Sequence, residues 1–118
     1  MLSNTKPSMD SAIRKLKVQT GAVKRISKDL SYYEKEAAKQ QERIDKLVAD
    51  GADEHDIRKQ KEVLEETNQM LPESKKRLAA AYKELADLVE KYLSAAGSEE
   101  VAPEEVLAAQ TVLQEVRV

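Results

Sequence analysis

Apolar residues recur at every seventh position through most of this chain. The first series is Leu16, Val23, Leu30, Ala37 and Ile44, and the second is Ile57, Leu64, Leu71, Leu78, Leu85 and Tyr92. Each series has companions three or four residues from a rung, namely Ile26, Tyr33 and Leu47 in the first and Thr67, Ala81 and Leu88 in the second. A narrow apolar stripe with this period is typical of a coiled-coil helix and must be covered by another helix. The sequence therefore predicts two long helices, about 8–49 and about 53–93, with these residues in the core: Leu16, Val23, Leu30, Leu64, Leu71 and Leu78.

Turn-forming residues separate the two predicted helices. Gly51 can end the first helix, and Asp53 can cap the second, with Asp56 three residues later in the manner of a capping box. The two helices should therefore fold back on each other as an antiparallel hairpin.

Two residues inside the predicted helices are poor helix formers. Pro72 removes a backbone hydrogen bond, but the seven-residue step continues across it, so we expect one helix that is bent there. Gly21 costs about 0.5–1 kcal/mol relative to alanine. We interpret Gly21 as a tolerated weak point or a close helix approach, with a hinge as the alternative.

A third, shorter helix is predicted at about 103–117. Pro103 followed by Glu104 and Glu105 is typical of the first turn of a helix. The residues that follow place an apolar face at helical spacing: Val106, Ala109, Val112, Leu113 and Val116. A helix this short is marginal in water, so its apolar face should pack on the hairpin. The predicted fold class is all-α, an antiparallel three-helix bundle built on a coiled-coil hairpin, with residues 1–118 as a single domain.

The composition argues against an enzyme. Charged residues make up 36% of the chain and aromatic residues 3%, which suits long solvated helices better than a core with a ligand pocket. Cysteine is absent, and His55 is the only histidine, so neither a transition-metal site nor a nucleophile relay has its residues. We therefore predict a protein that is not an enzyme and needs no cofactor.

No segment approaches the roughly 20 apolar residues of a membrane span, and we expect a soluble cytoplasmic protein.

Charge is distributed unevenly along the chain. Residues 9–49 carry ten Lys or Arg against six Asp or Glu, residues 53–93 carry eight against ten, and residues 94–118 carry one against five. The basic first helix could pair with the acidic helices of its own bundle, or it could face an acidic partner. Nucleic-acid binding is not expected, because the chain is acidic overall and its tyrosines fall mostly on or beside the apolar stripes.

Two parts of the chain resemble the tubulin-binding cofactor A family. In the first helix the resemblance is carried by residues 17–25 (KVQTGAVKR), 33–37 (YEKEA) and 39–42 (KQQE). In the second it is carried by residues 56–60 (DIRKQ), 70–72 (MLP) and 77–82 (RLAAAY). The resemblance covers about residues 17–85, so the third helix is predicted from periodicity alone.

The resemblance implies a three-helix chaperone that captures β-tubulin after the cytosolic chaperonin and delivers it toward the α/β heterodimer. Other tubulin-folding cofactors would be indirect partners, and the localisation would be cytoplasmic and associated with the cytoskeleton and microtubules. Candidate protein-binding residues lie in the matched segments or beside them and off the stripes: Lys24, Arg25, Lys28, Tyr32, Glu34, Lys35, Lys39, Arg58, Lys59 and Arg77. The alternative for each is an ordinary solvated helix residue.

A coiled-coil adaptor or tether is the alternative function. It would use the heptad residues of two chains to form a parallel dimer, which Gly51 and Pro72 disfavour. The sequence is compatible with a monomer or a weak homodimer.

Overall fold

The computed structural model describes residues 9–96 and 103–117 of the chain. These residues form three helices, α1 (Met9–Ala49), α2 (Glu54–Ala96) and α3 (Glu104–Glu115), and no strand occurs within the described ranges. The predicted all-α fold class is therefore confirmed. The predicted start of the first helix, at about residue 8, lies outside the described residues. None of the three helices is long and apolar enough to cross a membrane.

The chain divides into two compact units. The first, called here the three-helix unit, comprises Met1–Ser27 and Leu78–Val118, and the second, called the hairpin unit, comprises Lys28–Arg77. Both α1 and α2 contribute to each unit, whereas α3 belongs to the three-helix unit.

The core of the three-helix unit is built from all three helices. Its largest fully buried side chains are Leu16 and Val23 from α1, Leu78 and Leu85 from α2, and Val106 from α3. Smaller or less completely buried members complete it: Ala81, Val89, Tyr92, Ala109 and Val112. Each is a rung of an apolar stripe or a residue one turn away, so the heptad pattern identifies the core of this unit correctly.

Tertiary contacts hold the short helix α3 in place. Its N-cap is Pro103, with Glu104 as the first helical residue, so the proline lies one position before the predicted first turn. The carbonyl of Pro103 accepts the backbone N–H of Val106 at 3.0 Å. Near the other end, the Tyr82 hydroxyl of α2 donates to the carbonyl of Leu113 at 2.6 Å. This bond satisfies a carbonyl in the last turn that has no partner within the helix.

The hairpin unit has a thinner core. Leu30 and Ile44 are buried there, but Leu64 and Leu71, which the heptad pattern assigns to the core, are only half-buried. The reason is that this unit contains parts of two helices only, and each helix can cover one narrow stripe of the other. Every fully buried residue of α2 lies in the three-helix unit, at Leu78 or beyond.

A polar contact crosses the hairpin unit. Gln40 is 4% exposed, and its amide nitrogen donates to the backbone carbonyl of Gln60 at 3.0 Å as well as to the side-chain oxygen of that residue. Arg43 donates to the side-chain oxygen of Gln40 at 3.0 Å. Because a buried amide that lost these partners would be costly, the contact fixes the antiparallel register of the two helices.

The turn between α1 and α2 has the hydrogen bonds of a Schellman motif. Gly51 has a φ of 70°, and its N–H donates to the carbonyl of Val48 at 3.2 Å. The N–H of Ala52 donates to the carbonyl of Leu47 at 3.0 Å. Both carbonyls lie in the last turn of α1, where helical partners are lacking. The prediction that Gly51 ends the first helix is confirmed.

Alanine substitutions at Gly51 and Gly21 should have opposite effects on stability. Gly51→Ala places a Cβ on a left-handed residue and should lower the free energy of unfolding by about 1 kcal/mol. Gly21→Ala should raise it by about 0.5–1 kcal/mol, because a Cβ at this position in α1 would meet nothing within 4 Å. Urea unfolding followed by circular dichroism measures both. A lower free energy of unfolding for Gly21→Ala would contradict the open space around this residue. The same open space excludes the interpretation that Gly21 permits a close approach of another helix.

Helix α2 passes through Pro72 and ends later than expected. The structure includes Pro72 within the helix, which confirms one helix rather than two, while the bend at the proline stays a prediction. The helix continues to Ala96, three residues beyond the predicted end at residue 93. Alanine has the highest helix propensity, so Ala95 and Ala96 extend the last turn even without an apolar rung.

Candidate protein-binding surface

The basic side chains of α1 are all exposed. The helix carries ten Lys or Arg residues, and each is solvent-accessible. Within residues 9–96 and 103–117, the only salt bridge joins Arg77 and Glu73, at 3.2 Å and within one helix. Direct ion pairs between helices therefore do not explain the uneven charge distribution in the described parts of the chain. The positive charge of α1 is exposed to solvent.

Four of the predicted binding residues form a stripe along α1 in the hairpin unit. Lys28, Tyr32, Lys35 and Lys39 follow one another at spacings of four, three and four residues, which places them on one side of the helix, and all are exposed. We call this set the Tyr32 stripe. The ring of Tyr32, which is 59% exposed, meets the half-buried ring of Tyr33 edge to face at 5.8 Å. Tyr33 thus supports a tyrosine that presents both apolar area and a hydroxyl to solvent.

The other predicted residues are not all gathered with the stripe. Glu34 is exposed but points to another side of α1, because neighbours on a helix face are three or four residues apart. Arg58 and Lys59 are exposed on α2 of the hairpin unit. Arg77 is also exposed, and its charge is partly compensated by Glu73. These four residues are weaker candidates for a shared surface than the Tyr32 stripe.

Lys24 and Arg25 belong to the three-helix unit, where both are exposed. Lys24 lines an open groove of about 350 Å³ between α1 and α3. Its other lining residues are Lys17, Thr20, Gly21, Glu104, Glu105 and Ala108. Lysines of α1 and glutamates of α3 therefore lie along the same groove. This agrees with the net positive charge of the first helix and the net negative charge of residues 94–118.

Sequence reasoning missed several exposed apolar residues that lie off the heptad stripes. Val18 is 67% exposed in the three-helix unit, while Val63 and Met70 are 47% and 45% exposed in the hairpin unit. Val63 and Met70 are seven residues apart and so lie on one side of α2. The available signal was an apolar residue at a position where a two-stranded coiled coil places a polar one.

Fold and surface together define a small all-α protein whose candidate binding residues lie on exposed helix faces. No group of three or more His, Cys, Asp or Glu residues suited to a metal ion occurs among the described residues. The comparison with known proteins is specific. The model of the family described as tubulin binding cofactor A matches residues 11–113, and the chain belongs to this family. The resemblance seen in the two long helices is confirmed, and the match extends into α3, where sequence reasoning found none.

Individual relatives agree with this assignment. Human tubulin-specific chaperone A is 43% identical over 81 residues, which cover 69% of this chain and 75% of the human protein. The crystal structure of tubulin folding cofactor A from Arabidopsis thaliana superimposes with a TM-score of 0.79 at 32% identity, covering 89% of this chain and 94% of that one. The structure of human tubulin chaperone cofactor A gives a TM-score of 0.71 at 39% identity, covering 87% and 95%.

Proposed function

We propose that this chain is a post-chaperonin tubulin-folding chaperone, which captures β-tubulin and delivers it to the pathway that assembles the α/β heterodimer. Membership of the tubulin binding cofactor A family supports tubulin as the client. The observation that carries the proposal is the exposed basic surface of α1, whose charges form no salt bridge with another helix in the described residues. A surface of this kind is suited to an acidic protein partner.

In this proposal the protein acts by binding its client and catalyses no reaction. Relatives are named chaperones and folding cofactors, which supports a chain that is not an enzyme and acts without a cofactor. Its direct partner would be β-tubulin, with the other tubulin-folding cofactors as indirect partners, and neither nucleic acid nor membrane is involved. The place of action would be the cytoplasm, in association with the cytoskeleton, and the working form a monomer or a weak homodimer.

Electrostatic attraction would act first in client capture. Charges of one sign on a helix face raise the encounter rate with a partner of opposite sign, and the effect is screened within about 10 Å at 0.1 M salt. Once the surfaces meet, Tyr32 would contribute apolar contact and a hydroxyl that can donate or accept a hydrogen bond. The Tyr32 stripe combines both functions on one side of α1.

The alternative function, an adaptor built on a parallel two-chain coiled coil, receives no support from the packing. That function requires the apolar heptad residues of two chains to meet. In the three-helix unit, Leu16, Leu78 and Leu85 are instead buried by helices of the same chain. Apolar heptad residues that are already covered within one chain cannot also form the seam of a two-chain coiled coil.

Reversing three basic residues of α1 should slow client capture. We expect Lys24→Glu/Arg25→Glu/Lys28→Glu to reduce the association rate with β-tubulin at low salt by about tenfold or more, and to flatten its dependence on ionic strength. All three side chains are exposed, so circular dichroism should still report the helical fold. Stopped-flow or surface-based association rates over a series of salt concentrations provide the measurement.

A charge-matched variant on α2 serves as the control. Arg58→Glu/Lys59→Glu/Lys61→Glu changes the net charge by the same amount at three exposed positions. We expect a smaller loss of rate, because the segment that contains α2 is acidic overall. Equal losses in both variants would mean that tubulin senses net charge rather than the basic surface of α1. An α1 variant as fast as the parent at low salt would show that the client docks elsewhere.

A further inference from the structure

A second open groove lies between α1 and α2 in the three-helix unit. It measures about 450 Å³ and is lined by Arg14, Lys15, Val18, Gln19, Glu84 and Leu88. We call it the Val18 groove, because Val18 is its most exposed apolar residue, 67% accessible to solvent. Leu88 is half-buried beneath the surface of the groove. The groove thus combines two apolar side chains with charged ones, and an amphipathic helix binds to a groove through apolar contacts of this kind.

The Val18 groove and α3 lie on opposite flanks of the same pair of helices. The core residue Leu16 of α1 marks the seam with α2. Gln19 lines the Val18 groove, whereas its neighbour Thr20 lines the groove beside α3. Successive helix residues point about 100° apart, so these two side chains leave α1 on either side of the seam. One flank is covered by α3, and none of the described helices covers the other.

Helix α3 shows what kind of helix this pair of helices binds. It carries three acidic residues and no basic one, and it buries Val106, Ala109 and Val112. At its N-terminal end, Glu104 and Glu105 line the groove that also contains Lys17 and Lys24 of α1. An acidic amphipathic helix with small and β-branched apolar residues is thus already docked beside the basic segment of α1.

The Val18 groove offers similar charge to a second helix. Between residues 9 and 27, α1 has five basic residues against a single acidic one. Arg14 and Lys15 lie at the rim of the groove and are exposed, and Glu84 is the one acidic residue among those lining it. Acidic residues flanking the apolar face of an incoming helix would meet these two bases.

We propose that the Val18 groove docks an acidic amphipathic helix of the tubulin client, on the flank of α1 and α2 opposite to α3. The inference rests on the proposed function for the identity of the client, and it adds the contact surface and the type of segment that binds there. Val18 would contact the apolar face of that segment, while Arg14 and Lys15 would pair with its acidic residues.

Substitution of Val18 tests the proposal with purified β-tubulin as the probe. Val18→Glu places a negative charge on the exposed side of the groove, and we expect the dissociation constant to rise about tenfold. Val18→Lys removes the apolar contact but keeps the groove basic, so its loss should be smaller. Leu107→Glu is the matched control, because Leu107 is 52% exposed on α3 and lies outside the Val18 groove. We expect it to bind like the parent, and circular dichroism should show all variants folded.

The outcomes separate this inference from the proposed function. A parent protein that does not bind β-tubulin overturns both. If the parent binds and Val18→Glu binds equally well, the docking groove is wrong while the chaperone function stands. A Val18→Lys loss as large as that of Val18→Glu would overturn the preference for an acidic segment.

A photoreactive residue in place of Val18 identifies the occupant directly. We expect cross-links, mapped by mass spectrometry, to an amphipathic helical segment of tubulin with acidic residues beside its apolar face. Cross-links to a second copy of this chain, or to another part of the same chain, would overturn the proposal by showing that the groove is already covered. The same photoreactive residue at Leu107 should give none of the tubulin cross-links obtained at position 18.

Discussion

Leu78→Ala should lower the free energy of unfolding by about 2–5 kcal/mol. The side chain is 2% exposed and lies in the core of the three-helix unit, which α1, α2 and α3 all form. Truncation removes apolar contacts and leaves a cavity that surrounding side chains fill only in part. Since small domains have total stabilities of about 5–15 kcal/mol, the effect is a large share of the whole. The urea midpoint, followed by circular dichroism, gives the measurement.

The same substitution at Leu64 is the matched control. Leu64 is two rungs earlier in the same apolar stripe of α2 but is only half-buried, in the hairpin unit. Less apolar area is lost, so we expect about 1–2 kcal/mol. Coinciding midpoints for Leu64→Ala and Leu78→Ala would contradict the difference in burial between the two units.

Pro72→Ala should stabilise the protein by up to about 3 kcal/mol. The proline lies inside α2, where it lacks the N–H that would bond to the carbonyl of Asn68. Its side chain is exposed, so alanine opens no cavity and restores the hydrogen bond if the helix relaxes. Thermal unfolding should shift to higher temperature.

Pro103→Ala provides the comparison, because a proline at this position removes no hydrogen bond from the helix. Pro103 is the N-cap of α3, before the first helical residue, and its change should alter stability by less than about 1 kcal/mol. A lower unfolding temperature for Pro72→Ala would show that packing requires the bend that we predict at this residue. The proline would then be a structural element rather than a tolerated cost.

The candidate surface could be predicted only in part. The exposed positions of Lys28, Tyr32, Lys35 and Lys39 follow from their distance to the apolar stripe of α1, and the structure places them together. Glu34 lies in a matched segment, but helical geometry directs its side chain to another side of α1. The sequence shows Val18 only as an apolar residue off the stripe, and the groove beside it depends on how α1 and α2 pack.

The sequence by itself determined the elements of this fold. The seven-residue period identified α1 and α2, Gly51 marked the turn because its left-handed conformation favours glycine, and Pro103 with its following glutamates marked the start of α3. These signals are local, arising from backbone sterics and from the spacing of apolar residues along one helix.

The tertiary structure decided which stripe residues are buried and which charges are left without a partner. Leu64 and Leu78 occupy the same heptad position, two repeats apart. Only Leu78 is buried, because α3 packs in the three-helix unit and not in the hairpin unit. Likewise, the basic residues of α1 could have paired with acidic helices, and only the side-chain distances show that they do not in the described chain. Burial and ion pairing depend on the third helix and on the distances between helices, which a periodic sequence does not encode.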